Sequence, residues 1–145
     1  VYALAQHGAH PNKDMAELWR RIVFSIMISN TDDHLRNHGF LYERQVGWKL
    51  SPAYDLNPVP TDIKARVLTT AIDFEDNTAS LDLALSVIDD FRLSLERAKE
   101  IIREVVSATK QWRELASSKG LNNHEIERMS SAFEHEDLKK AKSLL

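Results

Sequence analysis

Residues 13–28, KDMAELWRRIVFSIMI, constrain the fold of this chain more than any other stretch. Leu18, Trp19, Ile22, Val23, Ile26 and Met27 recur at helical spacing on one face, and Phe24 and Ile28 carry the apolar surface most of the way round. A helix that is apolar on nearly every side has to be buried on nearly every side. Asn12 is placed to cap it, and Asp14 and Glu17 sit in the early turns, where the helix dipole favours acidic groups. The rest of the chain must therefore wrap around this helix. Whatever leaves its C-terminus is held against the core.

What leaves it is polar. Residues 30–37, NTDDHLRN, pack Asp32, Asp33, His34 and Asn37 into one short run. Phe40–Leu41–Tyr42 and Val46, Trp48 and Leu50 then read as two short strands of a hairpin around residues 43–47. The segment SPAYDLNPVP carries three prolines, which excludes a helix interior or a central strand, and it sets Asp55 between Pro52 and Pro58.

Further along, residues 66–72 are β-prone and suggest an edge strand, and residues 73–78 form an acidic loop. Ser80 can cap a helix bearing Leu81, Leu85 and Ile88. From Ser94 the spacing predicts the longest helix, running through Ala98, Ile101, Ile102, Val105, Trp112 and Leu115 to Gly120, with Trp112 in the core. Asn122 and Glu125 resemble a capping box for a last helix with Ile126, Met129 and Phe133. The polar tail from His135 is expected to fray, and residues 1–12, broken by Gly8 and Pro11, show no periodicity. The fold class expected is mainly α with a small β-hairpin, in one domain over residues 1–145.

Bulk properties exclude more than they assign. A net charge of −3, with no Lys/Arg-rich run, gives no electrostatic reason to expect direct binding to nucleic acid or to an acidic membrane. No apolar run reaches the ~20 residues of a membrane helix. The absence of cysteine removes disulfides and thiolate metal sites and fits a cytoplasmic location.

The polar run has phosphotransferase spacing. Phosphoryl transfer needs a carboxylate to take the hydroxyl proton and oxygen ligands to hold Mg²⁺ against the phosphates. In kinases a base and an amide ligand lie on one loop as D-x-x-x-x-N, the spacing of Asp32 to Asn37, and a second carboxylate follows a hairpin, as Asp55 does. Asp and Asn are also the commonest cap and turn residues, so this spacing alone does not separate chemistry from local structure. Buried helix, D-x-H-x-x-N, hairpin and Pro-flanked Asp together favour chemistry.

ISNTDDHLRNHGFL followed by GWKLSPAYDLNPVP resembles the C-terminal kinase lobe of HipA-type proteins, as do IDFEDNTASLDLALSVIDDFRLS, QWRELASSKGL and EIERMSSAFEH. That resemblance implies a protein-kinase-like fold and an ATP- and Mg²⁺-dependent serine/threonine protein kinase of a toxin–antitoxin module, with a protein substrate and a DNA-binding antitoxin as partners. Carried over by motif position, Asp32 is the catalytic base, Asn37 a Mg²⁺ ligand and Asp55 the main Mg²⁺ carboxylate. His34 and Arg36 stay open: His34 orients the base, touches a phosphate or is a hydrogen-bonded loop brace, and Arg36 offsets developing charge or is a surface side chain. Asp33 is expected to be solvated or a cap. Asp55-Leu56-Asn57 stands where ordinary protein kinases have Asp-Phe-Gly, and Asn30-Thr31 replaces the His-Arg before the base, so activation through that Phe and Gly is not implied.

Two other readings stay open. His34 and His38, four apart, could with Asp32 or Asp33 form a metal hydrolase site, although no Glu follows the first His and Gly39 interrupts after the second. Alternatively the chain is a non-catalytic helical module that docks an antitoxin. Its four glycines are too scattered for a phosphate-binding loop, and nothing before Asp32 resembles a nucleotide-binding lobe. With Val1 in place of Met, the expectation is a C-terminal lobe cut from a longer protein, inactive by itself.

Overall fold

A short helix, α1 (Tyr2–His7), precedes the apolar one, α2 (Pro11–Met27), in the computed structural model, which describes residues 1–73 and 75–144. The expected start of α2 is corrected: Pro11 occupies the first helical position and His10, not Asn12, flanks it. Proline suits that position because its φ is already helical and its missing N–H would have been unpaired there anyway. Residues 1–12, which show no periodicity, hold α1, a helix too short to show a period. Gly8 ends it at a close approach, since a β-carbon there would lie 2.5 Å from Leu4 O.

No residue between 14 and 27 is exposed. Met15, Trp19, Val23, Ile26 and Met27 are buried, and the Trp19 indole N–H donates to Ala84 O at 2.9 Å. Against this helix pack α3 (Leu81–Ser86) and α4 (Leu95–Thr109), whose Ala98, Ile101, Ile102, Val105 and Val106 complete the core. Both helices have the expected serine caps: Ser80 Oγ accepts from Leu83 N–H at 3.4 Å and Ser94 Oγ from Arg97 N–H at 3.2 Å. Ile88 lies beyond α3, in a 3-10 turn.

The hairpin pairs β1 (Phe40–Glu43) with β2 (Gly47–Leu50), antiparallel, with Tyr42 opposite Trp48 and Phe40 opposite Leu50. It is anchored to α2 by Asp14, which is buried and accepts the Leu50 N–H at 3.2 Å. Residues 66–72 do not extend this sheet, contrary to expectation. Only an isolated bridge joins Val67 to Thr78, because the segment's hydrogen bonds run to Asn77 and to Thr31 instead.

The expected long helix from Ser94 to Gly120 is two helices. α4 stops at Thr109, whose Oγ1 donates to the carbonyls of Val105 and Val106 at the helix end. The next helix, α5 (Trp112–Ser118), has no buried residue, so Trp112 is not core; it stacks on Phe133 with ring centroids 4.4 Å apart. The capping box at Asn122 is present, but the helix it opens is also divided, into α6 (Asn123–Arg128) and α7 (Ser130–Phe133). The tail does not fray over its described residues: α8 (Glu136–Ser143) packs on α2, α3 and α4 with Ala141 buried. Phe74 in the acidic loop and Leu145 in the tail lie outside the described residues. No helix among those residues is long and apolar enough to cross a membrane.

Candidate active site

Beyond α2 the chain turns sharply. Ser29 takes a left-handed conformation at φ +53°, and Asn30 N–H returns to Ser25 O at 2.8 Å. Ser29, Asn30 and Thr31 are buried. The Thr31 carbonyl accepts from Thr69 N–H at 3.1 Å, Thr69 Oγ1 at 2.9 Å and Lys64 Nζ at 3.2 Å. Thr70 Oγ1 donates to Asp33 O at 2.8 Å. The loop backbone is thus pinned from the segment that follows Asp55 in sequence.

Pinned this way, the two neighbouring aspartates face opposite ways. Asp32 has a side chain 74% exposed, with Lys64 Nζ 4.0 Å from its Oδ1. Asp33 is buried: Ser25 Oγ donates to its Oδ2 at 3.4 Å, and its Oδ1 lies 3.1 Å from His38 Nε2. That close contact is not an aligned hydrogen bond, since Oδ1 has no aligned donor. The expectation that Asp33 is solvated or a cap is therefore wrong. A carboxylate is tolerated inside only where polar partners wait for it, and Ser25 and His38 supply them.

His34 is half-buried ahead of a 3-10 turn (Leu35–Asn37), its Nδ1 buried without a partner among the described residues. Arg36 is exposed. Asn37 is buried; its N–H donates to His34 O at 2.8 Å, and its amide nitrogen has no partner among the described residues.

Asp55 reaches this loop through Tyr54, whose hydroxyl donates to Arg36 O at 2.6 Å. Ser51 N–H donates to Gly39 O at 2.8 Å. A β-carbon on Gly39 would sit 3.0 Å from Ser51 Oγ and 3.3 Å from the Tyr54 hydroxyl, so glycine lets the two segments close. Asp55 itself is exposed, left-handed at φ +57°, and accepts from Asn57 Nδ2 at 2.8 Å. Asp55 and Asn37 are therefore each the next residue after one end of the Tyr54–Arg36 bond. Their carboxylate and amide oxygens are hard donors of the kind Mg²⁺ takes, so the two side chains fit that ion by donor type.

The hydrolase reading finds no ligand set: His38 is engaged by Asp33, and among the described residues no three His, Cys, Asp or Glu side chains are grouped to hold a metal ion.

Residues 1–113 match the family model of the HipA-like C-terminal domain. The chain belongs to that family. Two relatives of this HipA-like domain carry kinase names. A Haemophilus influenzae protein named "Putative kinase" is 32% identical over 68 residues, covering 45% of this chain and 20% of that protein. A Sinorhizobium fredii protein named "Putative kinase Y4dM" is 51% identical over 43 residues, covering 30% of this chain and 10% of that protein. The matched parts thus span a fifth or less of either relative.

Sequence reasoning missed the contributions of Ser25, Lys64, Thr69, Thr70 and Tyr54. Their roles rest on contacts across the chain, and no local pattern marks them. The Asp33–His38 pair had a signal, five-residue separation within one loop, but not one that says which aspartate turns inward.

Proposed function

We propose that this HipA-like domain supplies the catalytic base and metal ligands of an ATP- and Mg²⁺-dependent protein serine/threonine kinase with a protein-kinase-like fold. In the longer protein Asp32 accepts the proton of a Ser or Thr hydroxyl, and Asn37 and Asp55 hold Mg²⁺. Bound Mg²⁺ would draw charge from the transferring phosphoryl group. The chain's own part is to present Asp32 at the surface and to carry the two ligands on segments joined by the Tyr54–Arg36 bond. His34, half-buried two positions after the base, orients it. A protein substrate, a DNA-binding antitoxin as partner and a cytoplasmic setting go with this reading.

The observation that carries it is the sorting of the loop: of two adjacent aspartates the one at the base position is free, while its neighbour is buried. Membership of the family and the kinase names of two relatives support it. Asp32→Ala in the full-length protein should cut transfer of label from γ-labelled ATP by at least about 100-fold, in the range of general-base contributions. Its Tm should be unchanged, because Asp32 contributes no burial. Retained transfer in well-folded Asp32→Ala protein would overturn the assignment.

A further inference from the structure

The pair of buried Asp33 and half-buried His38 has no place in the chemistry above, yet it is tied to both ends of it. Asp33 follows the base Asp32, and His38 follows the ligand Asn37. We infer that Asp33 and His38 form an internal clip that sets the position of Asn37 relative to Asp32, making both of them positioning residues; this rests on the kinase reading.

The geometry supports a clip in three ways. The pair closes the run between residues 33 and 38 through a 3.1 Å contact between side chains that are 10% and 13% exposed, so solvent screens it little. Its other side is fastened to the core helix: Ser25 Oγ donates to Asp33 Oδ2 at 3.4 Å, and Asn30 Nδ2 donates to Ser25 Oγ at 3.4 Å. Finally, Thr70 holds the Asp33 carbonyl at 2.8 Å, so the backbone at Asp33 cannot swing when the side chain is pulled. Between the two clip residues the 3-10 turn is short, with Asn37 N–H donating to His34 O at 2.8 Å and His38 N–H to Leu35 O at 3.2 Å. These bonds, the Tyr54–Arg36 bond and the Gly39–Ser51 bond hold the backbone around Asn37, and the Asp33–His38 contact adds a side-chain link that closes the run. Sub-ångström placement matters here, since small displacements of a metal ligand or base cost large factors in rate.

The test uses the full-length protein with Asp33→Ala, His38→Ala, the double variant and His38→Gln, whose amide nitrogen can reach the Asp33 carboxylate. Two quantities are read beside Tm: the Mg²⁺ concentration giving half-maximal binding of a fluorescent ATP analogue, and the rate of label transfer from γ-labelled ATP. The clip predicts that each alanine variant raises the Mg²⁺ requirement at least about fivefold and slows transfer. The double variant should be no worse than either single one, and His38→Gln should recover most of the loss. Variants that lower Tm yet keep the wild-type Mg²⁺ requirement would reduce the pair to core packing and overturn the inference. So would losses that simply multiply in the double variant. Asp32→Ala run in parallel separates the two claims: if it still transfers phosphate, the base assignment fails, while the Mg²⁺ dependence of nucleotide binding continues to judge the clip. A wild-type protein that binds no Mg²⁺-nucleotide would overturn both.

Discussion

Asp55 shows how much one residue carries in this site. It holds a left-handed backbone at φ +57°, a conformation that costs a side chain with a β-carbon about 1–2 kcal/mol, although Asn and Asp adopt it more readily than most. Such a backbone persists where its surroundings impose it, here by the Tyr54–Arg36 bond on one side and Asn57 on the other. The choice of substitution follows. Asp55→Asn keeps the tolerance for this backbone and removes only the charge, so it should leave Tm near the wild-type value while weakening Mg²⁺-nucleotide binding, read by calorimetry on the full-length protein. Asp55→Ala confounds the two, because it also strains the turn. At this scale the sequence was legible in part: the spacing of Asp32, Asn37 and Asp55 could be read directly, but the orientation of Asp32 against Asp33 could not.

Among the elements, α2 governs the rest. Trp19 is fully buried and its indole N–H satisfies the Ala84 carbonyl, linking the central helix to α3 across 65 positions. Trp19→Phe keeps most of the apolar area but strands that carbonyl, and should destabilise the protein by about 1–3 kcal/mol in denaturant unfolding. A loss within error would mean that water replaces the indole. The helices read well from sequence where a local signal marks an end: Ser80, Ser94 and Asn122 all cap as their types suggest. Failures came where apolar periodicity ran on across a break. From Ala98 to Leu115 the spacing stays helical, yet α4 ends at Thr109, whose hydroxyl bonds back to the Val105 and Val106 carbonyls.

Across the whole molecule, Arg66 ties the loop, the core helix and the C-terminal helix together. Its guanidinium donates to Ile26 O at 2.9 Å, Ser29 Oγ at 3.1 Å and Asp137 Oδ2 at 2.6 Å, while Asp137 Oδ1 accepts from Leu81 N–H at 2.8 Å. Removing one partner leaves the other poorly solvated, so Arg66→Met should cost about 3 kcal/mol and expose α8 to limited proteolysis. Beside this cluster, His135 Nε2 meets Met27 O at 3.1 Å. Burial chiefly, and then the Arg66 charge, hold its imidazole below the ordinary value of 6.5, against the opposing pull of Asp137 and the Met27 and Ala132 carbonyls. Between the two values the unfolded chain binds the proton that the folded one refuses. This contribution to stability is therefore complete above pH 6.5 and is lost as the pH falls through the folded-state value. Tm should drop on acidification from pH 7 to 5, and His135→Gln, which does not titrate, should flatten that part of the profile.

By itself the sequence determined what depends on near neighbours: a central helix apolar on most sides, a hairpin of alternating strands, three side-chain caps, and a D-x-H-x-x-N loop with a following carboxylate. Those signals lie within a few positions of one another, where backbone geometry dictates who meets whom. Tertiary structure alone decided which aspartate turns inward, what lies against His38, how Tyr54 ties its segment to the Arg36 carbonyl, and that the polar tail docks rather than frays. The partners in those contacts are brought together by burying α2, up to 108 positions apart in the case of Met27 and His135. Spacing along the chain carries no record of such meetings, because they are set by which surfaces must leave water together.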